Sequence, residues 1–166
     1  MPRHPVEPLD ARGARRAALD ALARRDHASG ELEQKLLEAG YEPGIVRALV
    51  EALQAEKLLD DRRYLENFIA YHAGRGQGPV RVRSELRQRG IVGELVEECL
   101  EAFGDWIVQL QRARQKKFGA ALPRGYAERQ RQMRFLNYRG FTSAQIRSAL
   151  GFDIDLDVDG NEDGDA

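Results

Sequence analysis

The sequence is poor in the residues that build disulfides and metal sites. Cys99 is the only cysteine among 166 residues, and the three histidines have no ligand-like spacing to it or to each other. A single thiol excludes an intrachain disulfide and a cysteine-based zinc site. No apolar run approaches the roughly 20 residues needed to cross a membrane, and residues 1–14 lack the apolar core of a signal peptide. We therefore expect a cytoplasmic protein without a bound metal.

Signatures of catalysis are also missing. The chain has no phosphate-binding P-loop, no paired carboxylate and histidine set and no nucleophile elbow. Residues 155–160 match the first half of a calcium-binding EF-hand loop, but the required glutamate at the end of that loop is replaced by Ala166. We therefore expect no enzyme, no catalytic residue and no cofactor, but a protein that acts through binding alone.

The formal net charge of −1 hides a strong division along the chain. Residues 1–59 hold 9 basic residues against 10 acidic ones, whereas residues 60–152 hold 17 against 10. Residues 153–166 hold seven acidic residues and no basic one. The middle of the chain is therefore basic, which suits a polyanion or an acidic groove on a protein. We interpret the tail as disordered, with shielding of the basic region as a further hypothesis.

An internal repeat with a period of 50 residues organises the chain. Gly40, Gly90 and Gly140 recur at this spacing, each preceded by a leucine four positions earlier and followed by a bulky apolar residue. Apolar residues also recur six and ten positions after each glycine. Within each copy the apolar residues have helical spacing, and the glycine is typical of a left-handed turn that ends a helix.

Each copy therefore predicts three helices, the first of which spans about residues 14–25 in copy one and opens near Asp60 and Asp105 in the other two. Pro43 and Pro79 suit the first turns of later helices, and Thr142 suits an N-cap. The predicted fold is all-α, with three tandem, helix-turn-helix-like repeats in an extended, curved array. Its parts are a flexible segment (1–13), repeats 1, 2 and 3 (14–58, 59–104 and 105–152) and a disordered acidic tail (153–166).

Each repeat carries a motif beside its glycine. Repeat 1 has ELEQKL at residues 31–36 followed by GY, and repeat 3 has FL at 135–136 followed by RGF. Repeat 2 has GQGP at 76–79, then RVRSEL at 81–86 and RGI at 89–91. In this order and spacing, over about residues 14–151, the motifs resemble those of the RecX family, the small regulators of the RecA recombinase.

The resemblance implies a function. Proteins of this family bind RecA filaments on single-stranded DNA and inhibit the recombinase, ATPase and coprotease activities of RecA, in DNA repair and the SOS response. We therefore expect a monomeric modulator of the RecA nucleoprotein filament, with weak nonspecific DNA binding as an accessory.

The middle helices of repeats 2 and 3 share basic residues that repeat 1 lacks. Arginine suits bidentate contact with carboxylate or phosphate, although charged residues also cover solvated helix faces, and cations near a helix C-terminus are favoured by its dipole. A further basic cluster precedes repeat 3's middle helix, at residues 112–117. The candidate residues for contact with RecA or phosphate are Arg81, Arg83, Arg87, Arg89, Arg129, Arg131, Arg134 and Arg139.

A second function remains open, namely a tandem helix-turn-helix protein that acts on DNA directly. Against it, the last helix of repeat 2 is apolar and acidic, with Glu97 and Glu98 where a DNA reader needs basic or polar residues. Tyr64, Phe68 and Tyr71 fall at helical spacing and are interpreted as core, with base stacking as the alternative.

Overall fold

The computed structural model describes residues 9–151, which form nine α-helices and no β-strand. Three helices fall in each repeat, so the all-α class and the three three-helix units predicted from the sequence are confirmed. The acidic tail and most of the predicted N-terminal segment lie outside the described residues. The helices are α1 (Ala11–Arg24), α2 (Ser29–Glu38), α3 (Pro43–Ala55), α4 (Asp61–Gly74), α5 (Pro79–Gln88), α6 (Glu94–Phe103), α7 (Trp106–Phe118), α8 (Tyr126–Tyr138) and α9 (Ser143–Leu150).

The helix ends follow local signals in the sequence. Asp60 caps α4 by accepting the Arg63 N–H at 3.0 Å, and Thr142 forms a reciprocal capping box with Gln145 at the start of α9. The first helix begins earlier than the periodicity predicts, because Asp10 accepts the Gly13 N–H at 2.8 Å and starts α1 at Ala11.

The recurring glycines end α2, α5 and α8 as predicted. Gly40, Gly90 and Gly140 have φ of 95°, 75° and 90°, a region in which a side chain is strained. In each turn the residue after the glycine donates its N–H to the carbonyl of the leucine that lies four residues before the glycine, at 2.9–3.2 Å. The same turn therefore reverses the chain in every repeat.

Two hydrophobic cores divide the described residues. Helices α1–α3 enclose one core together with Leu59, whereas α4–α9 of repeats 2 and 3 share a second core, in which Ala28 of repeat 1 is also buried. Cys99 is buried in the shared core, as predicted for a small hydrophobe, and burial raises the pKa of its thiol. Tyr64 is buried and Phe68 packs against the same core, but Tyr71 is 61% exposed. The prediction that Tyr71 belongs to the core is therefore wrong.

Repeats 1 and 2 meet through a polar contact beside Ala28, which is buried in the core of repeats 2 and 3. Ala28 at the N-cap of α2 has no side chain that could accept from the helix, and Asp61 of α4 takes over this role. Asp61 accepts the Ser29 N–H at 2.6 Å and also the Ser29 hydroxyl. A backbone N–H at the start of α2, which has no partner within its own helix, therefore donates to a carboxylate of the next repeat.

Repeats 2 and 3 meet backbone to backbone. The Gly78 N–H donates to the Arg139 carbonyl at 2.8 Å and the Val80 N–H to the Gly140 carbonyl at 3.0 Å, so that the start of α5 docks on the turn after α8. A Cβ atom on Gly78 would lie 2.3 Å from the Gly140 backbone, and one on Gly140 would lie 2.4 Å from the Arg81 Cβ. The two glycines therefore allow an approach that no side chain would permit.

Candidate partner-binding surface

The arginines of α5 differ in how far their charge is already matched. Arg83 forms two hydrogen bonds to the Glu97 carboxylate of α6, both of 2.8 Å. This pairing raises the pKa of Arg83 and lowers that of Glu97. Arg87, one turn later, is exposed and extends the same flank of α5. Arg83 therefore links α5 to α6, and Arg87 is the more available of the two to bind a partner.

Four candidate arginines, related in pairs by the 50-residue period, each lie over an aromatic ring. The ring holds one face of the guanidinium group, while its N–H edge remains able to donate to an anion. Such arginines are positioned before a partner arrives. The distances from guanidinium carbon to ring centre are 5.8 Å for Arg81 and Tyr138, 5.0 Å for Arg89 and Phe68, 5.4 Å for Arg131 and Phe118, and 5.2 Å for Arg139 and Phe135.

Two of these four arginines already have a carboxylate nearby, which partly matches their charge before a partner binds. Arg81 lies 3.9 Å from Glu85, and Arg131 lies 3.5 Å from Glu128, both on the same helix as the arginine. Exposed pairs at this spacing contribute only about 0.3–0.5 kcal/mol, so an anionic partner displaces them at little cost. Arg129 and Arg134 are exposed on α8.

The eight candidate arginines do not form one cluster. Arg83 and Arg87 lie beside α6, and Arg81 lies in a groove with Tyr138 of α8. Arg89 lines the cleft between repeats 1 and 2, whereas Arg139 lines another cleft between α4, α7 and α8. The basic region is therefore a band over repeats 2 and 3 instead of a single site.

The cleft that contains Arg139 is lined by five cations, and we call it the basic cleft. It has a volume of about 380 Å³. Its cations come from the ends of α4 and α8 and from α7, and none of its described lining residues is acidic. Arg112, Lys116 and Lys117 were visible in the sequence as a basic cluster, but Arg75 joins them only through the fold. The five cations are Arg75, Arg112, Lys116, Lys117 and Arg139.

Arg114 belongs to the same stretch of sequence but has a structural role. Its side chain is only 3% exposed, and it donates to the carbonyls of Ala120 and Ala121 at 3.1 and 2.9 Å. It therefore fixes the loop between α7 and α8. Sequence spacing alone groups Arg114 with Arg112 and Lys116, and the structure separates it from them.

Two of the four acidic residues of α6 are held by neighbouring arginines. Glu97 pairs with Arg83, and Glu98 accepts from Arg62 of α4 at 2.7 Å. A helix whose exposed face carries such pairs is poorly suited to enter the groove of a polyanion. In the part of the chain that the structure describes, no group of three or more His, Cys, Asp or Glu side chains is placed to hold a metal ion. None of its helices has the length and apolarity of a membrane span.

Family models match each repeat in turn. They are described as the first, second and third three-helix domains of RecX, and they match residues 14–53, 60–100 and 107–150. The chain belongs to the RecX family. The resemblance drawn from the motifs is therefore confirmed, and it covers all three repeats.

Relatives in this family are named as regulatory proteins. Regulatory protein RecX of Halorhodospira halophila is 48% identical over 81% of this chain and 84% of its own length. Regulatory protein RecX of Pseudomonas savastanoi pv. phaseolicola is 47% identical over 82% and 88%. The crystal structure of RecX from Lactobacillus salivarius matches with a TM-score of 0.72 at 18% identity, over 85% of this chain and 94% of that one. These findings support a regulatory role within the RecX family.

Proposed function

We propose that this protein binds RecA filaments on single-stranded DNA and inhibits the recombinase, ATPase and coprotease activities of RecA in DNA repair and the SOS response. The observation that carries the proposal is the band of arginines on repeats 2 and 3, four of them positioned over aromatic rings. Membership in the RecX family supports RecA as the partner. The candidate arginines supply the surface that meets it.

A regulator of this kind acts through binding energy. A chain with several separate contacts engages neighbouring subunits of a filament, and their weak affinities combine because each contact raises the effective concentration of the next. Such a binder shifts the filament toward the subunit arrangement that it fits better. The shared core keeps repeats 2 and 3 in a fixed relation, so that the separate arginine contacts of the two repeats keep a fixed spacing along the filament.

Reversing the charge of Arg81, Arg89, Arg131 and Arg139 together should abolish inhibition at low dose. We expect the concentration of protein that halves RecA ATPase on single-stranded DNA to rise at least about tenfold, equivalent to about 1.4 kcal/mol of binding energy. The unchanged protein should inhibit at ratios far below one per RecA. The measurement is the rate of ATP hydrolysis over a titration at fixed RecA and DNA.

A control for this set reverses four exposed cations of repeat 1, namely Arg12, Arg24, Lys35 and Arg47. It changes the net charge equally but leaves the basic band intact, so inhibition should persist. Circular dichroism of both variants checks that the helices form. If the four-arginine variant folds and still inhibits fully, our assignment of the surface is wrong.

The alternative, a tandem helix-turn-helix protein acting on DNA directly, is separated by the same assay. It rests on the tight turn before the last helix of each repeat. It predicts tight binding to duplex DNA by the protein alone, with no effect on RecA ATPase. The ion pairs of Glu97 and Glu98 on α6 favour the filament modulator instead.

Deleting residues 153–166 should tighten binding to the anionic partner. These residues carry seven acidic side chains that compete with the partner for the basic band. The gain should be greatest at low salt and disappear as added salt screens the charges. Titrating full-length and shortened chains against RecA filaments at several salt concentrations tests this, and equal affinity throughout would exclude shielding by the tail.

A further inference from the structure

We propose that the acidic tail, residues 153–166, docks in the basic cleft of its own chain and occupies it until an anionic partner displaces it. The proposal goes beyond shielding of the whole basic band, because it assigns one occupant to one place between α4, α7 and α8. Its regulatory consequence rests on the proposed function, since Arg139 belongs both to the cleft and to the candidate partner-binding residues. The docking itself does not require RecA.

The cations of the basic cleft have no carboxylate partner among the described residues. No acidic residue belongs to the described lining, and none of the five cations forms an ion pair with a described carboxylate. Elsewhere on the basic band, Arg81, Arg83 and Arg131 already pair with carboxylates of their own repeats. An acidic segment that enters the cleft therefore gains five cations without displacing an existing pair.

The acidic tail starts within reach of the cleft. It follows α9, which packs against α7 and α8, two of the three helices that line the cleft. The 15 residues after Gly151 span up to about 50 Å when extended, whereas the 13 residues of α7 have a length of about 20 Å. Because the tail is tethered beside the cleft, its effective concentration there is of millimolar order, so that even weak docking fills the site.

The sequence of the tail alternates in a way that suits the lining of the cleft. Apolar and acidic residues alternate over residues 152–159, and in an extended segment this places the aspartates on one side, about 6.6 Å apart. On α7, Arg112 and Lys116 lie one above the other with a rise of about 6 Å. Successive aspartates therefore meet successive cations, while the apolar side chains face Ala113 and Phe135 in the same cleft.

Carbodiimide cross-linking of the full chain, without RecA or DNA, tests the docking. The reagent joins a carboxylate to a lysine amine that it contacts, and the sequence has four lysines, two in the cleft and two exposed in repeat 1. Mass spectrometry should find residues 153–166 joined to Lys116 or Lys117 at least about fivefold more often than to Lys35 or Lys57, with a yield that falls as salt screens the charges. Similar yields at all four lysines would overturn the proposal. So would cross-links that mainly join different copies in a mixture of isotope-labelled and unlabelled protein.

A pair of variants separates docking in the cleft from general charge attraction. R75Q/R112Q removes two cleft cations but keeps both cleft lysines, and it should lower their cross-links to the tail at least about threefold. R12Q/R47Q removes equal charge from repeat 1 and should leave these cross-links unchanged. Circular dichroism checks that both variants keep their helices. Equal losses in the two variants would show general attraction and contradict docking in the cleft.

A second pair of variants tests the alternating segment. D155N/D157N and D163N/D165N each remove two of the seven carboxylates of the tail, but only the first pair lies within the alternation. We expect D155N/D157N to lose most of the cross-links to the cleft lysines and D163N/D165N to keep most of them. Equal losses would overturn the match between the alternating aspartates and α7. Because RecA is absent, a failure here leaves the proposed inhibition of RecA to its own assay.

Discussion

Gly78→Ala should destabilise the paired unit of repeats 2 and 3 by about 3 kcal/mol or more. The new methyl group would lie 2.3 Å from the Gly140 backbone, so the start of α5 must withdraw from the turn after α8. That movement lengthens the two backbone hydrogen bonds from Gly78 and Val80, each of which contributes about 1 kcal/mol. Overpacking adds about 1–3 kcal/mol. Urea unfolding followed by circular dichroism measures the loss.

Gly125→Ala is the matched control for this substitution. Gly125 is the N-cap of α8, as Gly78 is of α5, but a Cβ there would meet nothing within 4 Å. Its cost should stay below about 1 kcal/mol, the range of a changed N-cap residue. Similar losses at the two positions would mean that helix capping, and not the close approach of the repeats, determines the effect.

The same comparison can be made between the repeat-related Gly140 and Gly90. Both have a positive φ, so alanine introduces backbone strain of about 1–2 kcal/mol at either position. Only at Gly140 would the added atom also collide, 2.4 Å from the Arg81 Cβ. The difference between the two variants therefore isolates the contact between repeats, and a difference near zero would contradict it.

Arg114→Ala should cost about 2–3 kcal/mol of stability. The substitution removes two hydrogen bonds to the carbonyls of Ala120 and Ala121 and empties a buried space beside α7. Arg114→Lys should lose less stability, because the lysine still fills the space of the aliphatic stem. It should still lose some, because an ammonium group reaches both carbonyls poorly. Thermal and urea unfolding give the magnitudes, and hydrogen exchange should show faster opening of the loop between α7 and α8.

Arg112→Ala provides the contrast. It lies two residues away on the same helix but is exposed in the basic cleft, so stability should change by less than about 0.5 kcal/mol. Equal stability in the Arg112 and Arg114 variants would show that burial of Arg114 contributes nothing.

Features that depend on neighbours along the chain could be predicted from the sequence. The turn glycines, the proline starts and the Thr142 cap are local, and the 50-residue period shows the turn glycines three times. Exposure of Tyr71 could not be predicted, because helical spacing places it beside Tyr64 and Phe68 and only the packed neighbours show where the core ends.

Contacts between repeats could not be predicted from the periodicity of the sequence. Gly78 and Gly140, or Asp61 and Ser29, are far apart in sequence and meet only when whole helices have packed. The same holds for the candidate sites. Nothing in the spacing of Arg83 and Arg87 shows that only Arg83 has a bidentate carboxylate partner, and nothing near Arg75 shows that it joins the cations of α7.

The junction between repeats 1 and 2 differs from the junction between repeats 2 and 3, and this difference determines which parts of the chain can be exchanged between relatives. Repeat 1 has most of its core to itself and is tied to its neighbour by the Asp61 carboxylate and by the buried Ala28, so it could be exchanged for that of a relative if an acceptor at residue 61 and a small side chain at residue 28 are kept. Repeats 2 and 3 share side chains and backbone across their boundary. They must therefore be inherited, duplicated or transplanted as a pair.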